Sequence, residues 1–133
     1  MTDEVRVPIN ADSDVVIARR QGRTLAEPLG FSSSELTFIA TAISEVARNI
    51  VRYAGQGTII LRCVWESDKR GLLIVACDHG PGIADVVQAM QDGYSTSDSL
   101  GMGLPGARRL MDAFDIVSEV GKGTRVSMRK WVR

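Results

Sequence analysis

The chain contains 133 residues, the size of one domain, and its 44% hydrophobic and 24% charged residues exclude a disordered protein. Sixteen basic residues balance sixteen acidic ones, so we expect no general attraction to nucleic acid or to an anionic membrane. No apolar run is long enough to span a bilayer, and the N-terminal residues lack the apolar core of a signal peptide. Cys63 and Cys77 are expected to be small buried side chains rather than a disulfide or a metal site. A cytoplasmic protein is therefore expected.

The N-terminal segment predicts a strand followed by a helix. Apolar and polar residues alternate over 4–9, and Pro8 places this strand at a sheet edge because proline has no N–H for a second neighbour. The residues Asp-Ser-Asp at 12–14 can cap a helix that continues to about Leu29, where Gly30 ends it.

A second, longer helix is predicted from the serines at 32–34 to about Ala54. Glu35 lies in its first turn, and Gly55 follows its last one. The apolar residues recur at helical spacing and form one stripe that must face a sheet. These residues are Leu36, Ile39, Ala40, Ile43, Ala47 and Ile50.

Two β-rich segments, 58–66 and 71–78, are separated by the polar turn "SDKR" and predict a hairpin. A long loop rich in glycine and proline follows over 79–106, with one helical turn at 84–90. The helical spacing of the next apolar residues then predicts a third helix. These residues are Leu104, Ala107, Leu110, Met111 and Phe114.

Two final strands, at 115–120 and 124–132, complete the order β-α-α-β-β-loop-α-β-β. Hairpins occur where a parallel sheet would need crossover connections. We therefore predict an α+β fold, a two-layer α/β sandwich with helices packed on one face of a mostly antiparallel mixed sheet. No linker interrupts the pattern, so residues 1–133 are expected to form a single domain.

Glu45 and Asn49 lie four residues apart and project from one face of the second helix, away from its apolar stripe. The simplest interpretation is a solvated helix surface. A carboxylate can also accept a proton from a hydroxyl group, and an amide oxygen can ligate a Mg²⁺ ion that holds phosphate oxygens. This second interpretation requires a nucleotide site beside the pair.

Asp78 ends an apolar strand and is followed by a glycine-rich turn containing Gly80 and Gly82. Its carboxylate can accept a hydrogen bond from an exocyclic amine such as that of adenine, and the glycines would let the backbone approach a flat ring. The alternative is a solvated acid in an ordinary turn. His79 is interpreted as a loop residue rather than a ligand.

The spacing G-x-G-x-x-G occurs at the start of the third helix, in Gly101, Gly103 and Gly106. A dinucleotide site needs a buried strand before it, and the polar segment 91–100 is not one, although Glu119 has the spacing of the ribose-binding acid. There is no P-loop motif either. The remaining interpretation is an anion site at a helix N-terminus, supplemented by the hydroxyl groups of Ser95 and Thr96.

These three motifs, in this order, resemble the N, G1 and G2 boxes of the GHKL superfamily of ATPases and kinases, which have the Bergerat fold. The segment "GKGTRV", with Gly123 and Thr124, resembles the last box of that superfamily. The small size and the sequences "TAISEVARNI", "DHGPGI" and "GKGT" are most similar to the serine/threonine switch kinases of bacterial stressosomes, over about residues 5–133.

The resemblance implies ATP and Mg²⁺ as cofactors. Glu45 would be the catalytic general base, and Asn49 would ligate Mg²⁺. Asp78 would accept a hydrogen bond from the adenine amine, and Thr124 would support this contact through water. Gly80 and Gly82 would make room for the ring. An ATP lid over about 92–106 would contact the phosphates through Ser95, Thr96, Gly101, Met102, Gly103, Leu104 and Gly106.

The same resemblance implies protein partners. The substrates would be serine or threonine hydroxyl groups on STAS-domain scaffold and antagonist proteins. After release, the kinase would activate a downstream PP2C-type phosphatase, or another output protein, by binding it. No nucleic acid or membrane partner is expected, and the arginines at 19, 20 and 23 of the first helix are candidate contact residues.

The main alternative function is a nucleotide-gated binding module of the anti-sigma type, which sequesters its partner rather than phosphorylating it. A histidine-kinase catalytic domain fits less well because the chain has no phospho-acceptor helix pair. A gyrase-type motor would need a transducer domain, and a dinucleotide reductase would need the missing strand.

Overall fold

The computed structural model describes residues 4–83, 86, 90 and 103–133 and confirms the predicted α+β fold. The elements in chain order are β1 (Glu4–Ile9), α1 (Asp12–Ala26), a 3-10 turn (Glu27–Leu29), α2 (Ser33–Tyr53), β2 (Gly57–Glu66), β3 (Lys69–Asp78), α3 (Gly103–Leu110), β4 (Ala113–Glu119) and β5 (Gly123–Trp131). The strands form one sheet in the order β1-β2-β3-β5-β4, and all four pairings between these described strands are antiparallel.

The alternation of side chains along each strand assigns the two faces of the sheet. In β2, Ile59 and Leu61 point to the helices and are fully buried, whereas Arg62 points to the opposite face and is exposed. In β3, both faces are covered, since all residues from 71 to 76 are buried. One hydrophobic core therefore lies between the sheet and the helices.

The first helix differs from its prediction at both ends. Its N-cap residue is Ala11, and Asp14 caps from inside the helix by accepting the N–H groups of Asn10 at 2.8 Å and Ala11 at 3.1 Å. The α-helix ends at Ala26 rather than near Leu29, because Pro28 has no N–H to donate to a preceding carbonyl, and residues 27–29 form a 3-10 turn instead.

The second helix begins and ends as predicted. Ser32 accepts the Glu35 N–H at 3.1 Å, and Glu35 accepts the Ser32 N–H at 2.8 Å, which is a complete capping box. At the other end, Gly55 adopts a φ of +84° just after the C-cap residue Ala54. The helix is therefore limited at both ends by local sequence signals.

The second half of the chain confirms the order of elements and changes some of their bounds. The hairpin turn consists of residues 67 and 68, because Ser67 takes a φ of 57° and β3 already starts at Lys69. At 84–90, only Val86 and Met90 are described, and the Met90 N–H donates to the Val86 carbonyl at 3.0 Å, as in a helical turn. Phe114 belongs to β4 rather than to the third helix.

The sheet edges and the cysteines follow the predictions in part. β1 is an edge strand, as Pro8 indicated. Cys63 is buried, but Cys77 is only half-buried because it points to the face of the sheet opposite the described helices. Within the described residues, no helix combines the length and apolar character needed to cross a membrane.

Candidate functional site

Glu45 is buried in the middle of α2, with only 4% of its surface exposed. All residues from 42 to 47 are buried because α2 packs against α1, the sheet and α3. The carboxylate keeps two hydrogen bonds there, since Oε2 accepts from Arg48 Nη1 at 2.9 Å and Oε1 accepts from the Gly103 N–H at 2.9 Å. Buried carboxylates need such donors, and the interpretation of Glu45 as part of a solvated surface is wrong.

Asn49 lies one helical turn beyond Glu45 and is half-buried. The helical rise separates the two residues by about 6 Å along the axis of α2. Beyond the helix end, Ala54 lies against the turn that follows β3, since a Cβ atom on Gly80 would be 2.6 Å from the Ala54 Cβ. α2 therefore connects the Glu45 carboxylate to the end of β3, with Asn49 between them.

Asp78 is the last residue of β3 and lies between Gly57 of β2 and Thr124 of β5. Its Oδ1 atom accepts from the Gly80 N–H at 2.9 Å and from the Thr124 N–H at 3.3 Å. Among the residues that the structure describes, no donor bonds to Oδ2. Two backbone N–H groups therefore orient the carboxylate and leave its second oxygen to accept a hydrogen bond from a ligand amine.

The glycines after Asp78 are required by contacts within the protein. Gly82 has a φ of +78°, and a Cβ atom there would lie 2.3 Å from the Glu119 carbonyl oxygen. Gly80 has the close contact with Ala54 described above. Side chains at these two positions would push the turn away from α2 and β4, and the role of the glycines in making room for a ring stays a prediction.

Ser118 joins the turn after β3 to the start of β5. Its hydroxyl oxygen accepts from the Ile83 N–H at 2.7 Å and lies 3.1 Å from the Gly123 carbonyl and 2.8 Å from Thr124 Oγ1. A hydroxyl group supplies one proton, so when Ser118 donates to Gly123 it accepts from Thr124. Thr124 thus contacts Asp78 directly through its backbone and holds Ser118 with its side chain.

The predicted phosphate-binding residues are only partly described. Gly103 begins α3 with a φ of +50°, and Leu104 and Gly106 are buried where α3 packs against α2. The other residues predicted for this role lie outside the described residues, as does the part of the predicted lid from 92 to 102, and their roles stay predictions. These other residues are Ser95, Thr96, Gly101 and Met102.

Two residues of the site were not predicted from the sequence. Arg48 pairs with Glu45, and the spacing of three residues between an acid and an arginine on a helix was an available signal. Ser118 is a polar residue at an inward position of β4, where Phe114 and Ile116 also point inward. A hydroxyl group in an apolar alternation indicates an internal hydrogen bond.

The donor set fits a nucleotide with a divalent cation. Asn49 offers an amide oxygen, which is a ligand type that Mg²⁺ accepts beside water and phosphate oxygens. Asp78 Oδ2 offers an acceptor for an exocyclic amine at the other end of the same surface. Glu45 lies one turn from Asn49, at the distance where a carboxylate can reach a group held beside the cation.

Comparison with known proteins gives a consistent result. A family model described as a histidine kinase-like ATPase domain matches residues 9–130. Over 133 residues, the full length of both chains, the sequence is 49% identical to the serine/threonine-protein kinase RsbT of Bacillus subtilis. It is 33% identical to an anti-sigma F factor of Caldanaerobacter subterraneus, over 86% of this chain and 83% of the relative. An anti-sigma F factor of Clostridium kluyveri is 34% identical over 72% of this chain and 70% of that protein.

Proposed function

Because this chain belongs to the family of histidine kinase-like ATPase domains, we propose that it is an ATP- and Mg²⁺-dependent protein serine/threonine kinase of a bacterial partner switch. Its place of action would be the cytoplasm. The observation that carries the proposal is the position of one helix, α2, which presents Glu45 and Asn49 one turn apart and ends against the Asp78 turn. Glu45 as the base, Asn49 as the cation ligand and Asp78 as the hydrogen-bond acceptor for adenine would then face one bound nucleotide.

In the binding step, Asp78 Oδ2 accepts a hydrogen bond from the adenine amine, while Oδ1 keeps its hydrogen bonds from the two backbone N–H groups. Thr124 and Ser118 hold this end of the sheet in place, since their hydroxyl groups bond to each other. Asn49 would ligate Mg²⁺, which would supply positive charge to neutralise the phosphates. The residues predicted for the lid, most of which lie outside the described part of the chain, would complete the phosphate contacts.

In the transfer step, the serine or threonine oxygen of the substrate attacks the γ-phosphorus. The new P–O bond forms as the bond between the γ-phosphorus and the β–γ bridging oxygen breaks, and ADP leaves with that electron pair. Glu45 accepts the hydroxyl proton. A carboxylate has about four lone-pair positions, so the bonds from Arg48 and Gly103 do not exhaust its capacity to accept.

The proposed substrates are hydroxyl groups on STAS-domain scaffold and antagonist proteins. The released kinase would then bind and activate a PP2C-type phosphatase or another output protein. The full-length similarity to a named serine/threonine kinase supports the chemistry, and the similarity to anti-sigma factors supports exchange between protein partners.

A second candidate function is a nucleotide-gated binding module that acts mainly by sequestering a partner. The similarity to two anti-sigma F factors favours this alternative specifically. It requires the same nucleotide site and differs only in whether phosphate is transferred to the partner.

One experiment separates the two functions. The purified protein is incubated with ATP, Mg²⁺ and candidate STAS-domain proteins, and the products are analysed by mass spectrometry. The kinase proposal predicts phosphate on a serine or threonine of the partner, lost when Mg²⁺ is removed with a chelator. Nucleotide-dependent binding of the partner without any phosphate transfer would refute the kinase and support the binding module.

A further inference from the structure

The face of the sheet opposite the helices carries a groove with a cavity volume of about 580 Å³. Its floor consists of outward-pointing apolar residues of the neighbouring strands β2 and β3, namely Ile60, Leu73 and Val75. Its rim carries arginines from three different strands, Arg6, Arg62, Arg125 and Arg129. This groove, called here the open-face groove, is separated from the candidate nucleotide site by the sheet itself.

Two of the three floor residues of the open-face groove are buried, although none of the helices that the structure describes lies on this face. Leu73 is 7% exposed and Val75 is 6% exposed, and neither belongs to the core between the sheet and the helices. The exposed rim arginines line the same groove, and arginine stems generally lie along apolar surface and keep their charged ends in water. A ligand that displaces these stems could contact the apolar floor with its own apolar groups and pair a carboxylate with a guanidinium group of the rim.

The charge of the open-face groove is unbalanced. Glu4 pairs with Arg6 at 3.0 Å and with Arg62 at 3.7 Å. Within the described residues, neither Arg125 nor Arg129 forms an ion pair. With Glu4 and Asp115 as the carboxylates of the lining, the four arginines leave an excess of positive charge on a chain whose net charge is zero.

We propose that the open-face groove binds an extended segment of a protein partner that carries both carboxylates and apolar side chains. The carboxylates pair with Arg125 and Arg129, and the apolar side chains contact Leu73 and Val75. About six extended residues are enough to cross the ~19 Å between the edge strands of a five-stranded sheet.

The charge pattern favours this occupant over two others. A second copy of the chain would bring two positively charged grooves face to face, which like-charge repulsion opposes. A nucleic acid would need a continuous basic surface to neutralise many phosphates, and the buried apolar floor together with zero net charge does not supply one.

The test uses a fluorescein-labelled peptide of about eight residues with alternating Glu and Val, long enough to cross the sheet. Binding is measured by fluorescence anisotropy without nucleotide, so the result does not depend on the proposed kinase activity. We expect saturable binding that weakens as salt is added. The variant R125Q/R129Q should lose about tenfold in affinity, because each removed charge-assisted pair contributes to binding.

Two further variants make the test specific. The matched control R108Q/K122Q removes two exposed cations that do not line the groove, one on α3 and one in the turn between β4 and β5, and should leave the affinity within about twofold. The variant Glu4→Gln should tighten binding, because it releases Arg6 and Arg62 from their ion pairs. Chemical-shift changes in two-dimensional NMR spectra of the unmodified protein should cluster on outward residues of β2, β3 and β5.

Several results would overturn the proposal. These are a peptide that does not bind, an equal loss of affinity in R108Q/K122Q, and equal binding of a Glu/Ser peptide that lacks apolar side chains. Tighter binding of a short DNA or RNA strand at the same residues would assign the groove to nucleic acid. Self-association in sedimentation that R125Q/R129Q abolishes would assign it to a second copy of the chain.

Discussion

The backbone N–H of Gly103 donates to Glu45 Oε1 at 2.9 Å and joins the first residue of α3 to the middle of α2. The same carboxylate accepts from Arg48 through its other oxygen. A substrate hydroxyl must therefore reach a carboxylate that is almost fully buried and already bonded at both oxygens. Movement of α3 away from α2 would expose this carboxylate, so the position of Gly103 is linked to the proposed base.

Replacement of Glu45 by Gln tests the base. Gln keeps a carbonyl oxygen for the Gly103 N–H but cannot accept a proton from a hydroxyl group at neutral pH. We expect phosphate transfer to fall by about 100- to 10,000-fold, with ATP affinity changed by only a few fold. Transfer is measured by mass spectrometry of the partner, and ATP affinity by calorimetry.

Replacement of Glu45 by Ala should cost stability as well as transfer. The Gly103 N–H then loses its acceptor in a partly buried position, which lowers the free energy of unfolding by about 1–3 kcal/mol in urea titration. Glu66→Gln, at an exposed end of β2, is the matched control and should leave both properties unchanged. Full transfer activity in the Gln variant would remove Glu45 from the mechanism.

Replacement of Asp78 by Asn should change nucleotide preference. The Asn oxygen can still accept from Gly80 and Thr124, but the side-chain NH₂ group then faces the adenine amine, donor against donor. We expect ATP affinity to fall by about 10- to 100-fold. Inosine triphosphate, with an oxygen in place of the amine, should lose less affinity or gain some. Equal losses for both nucleotides would contradict the assigned hydrogen bond.

Replacement of Gly82 by Ala should destabilise the protein more than the same change at Gly55. Both glycines have positive φ values, +78° and +84°, so both variants suffer backbone strain of about 1–2 kcal/mol. At Gly82 the new Cβ atom also meets the Glu119 carbonyl, whereas at Gly55 no atom lies within 4 Å. We expect an additional loss of about 1–3 kcal/mol at Gly82, measured by urea unfolding.

Replacement of Ser118 by Ala should weaken ATP binding, although Ser118 itself is not proposed to contact the nucleotide. The Ile83 N–H loses its acceptor, and the turn after β3 loses its attachment to β4, with an expected cost of about 1–2 kcal/mol in stability. Ser127→Ala, on β5 but on the opposite face of the sheet, is the control. If both variants bind ATP equally well, Ser118 does not position the site.

Local signals in the sequence were sufficient for most of the fold. The capping residues Ser32 and Glu35, the glycine at 55 and the alternation in β2 act through neighbouring residues, so their effect can be read without the tertiary structure. The error at the end of α1 also has a local cause, because Pro28 outweighs the helical spacing around it. Phe114 was misplaced because one apolar residue fits both a helical and a strand pattern.

By itself, the sequence determined the α+β fold, the order of its elements and the family to which its glycine and acid motifs belong. Only the tertiary structure decided that Glu45 is buried, that it bonds to Gly103 across 58 residues, and that Ser118 joins the turn after β3 to β5. It also decided that the arginines of three strands surround one apolar groove. Capping and alternation depend on near neighbours in the chain, whereas burial and these contacts depend on how separate elements pack together.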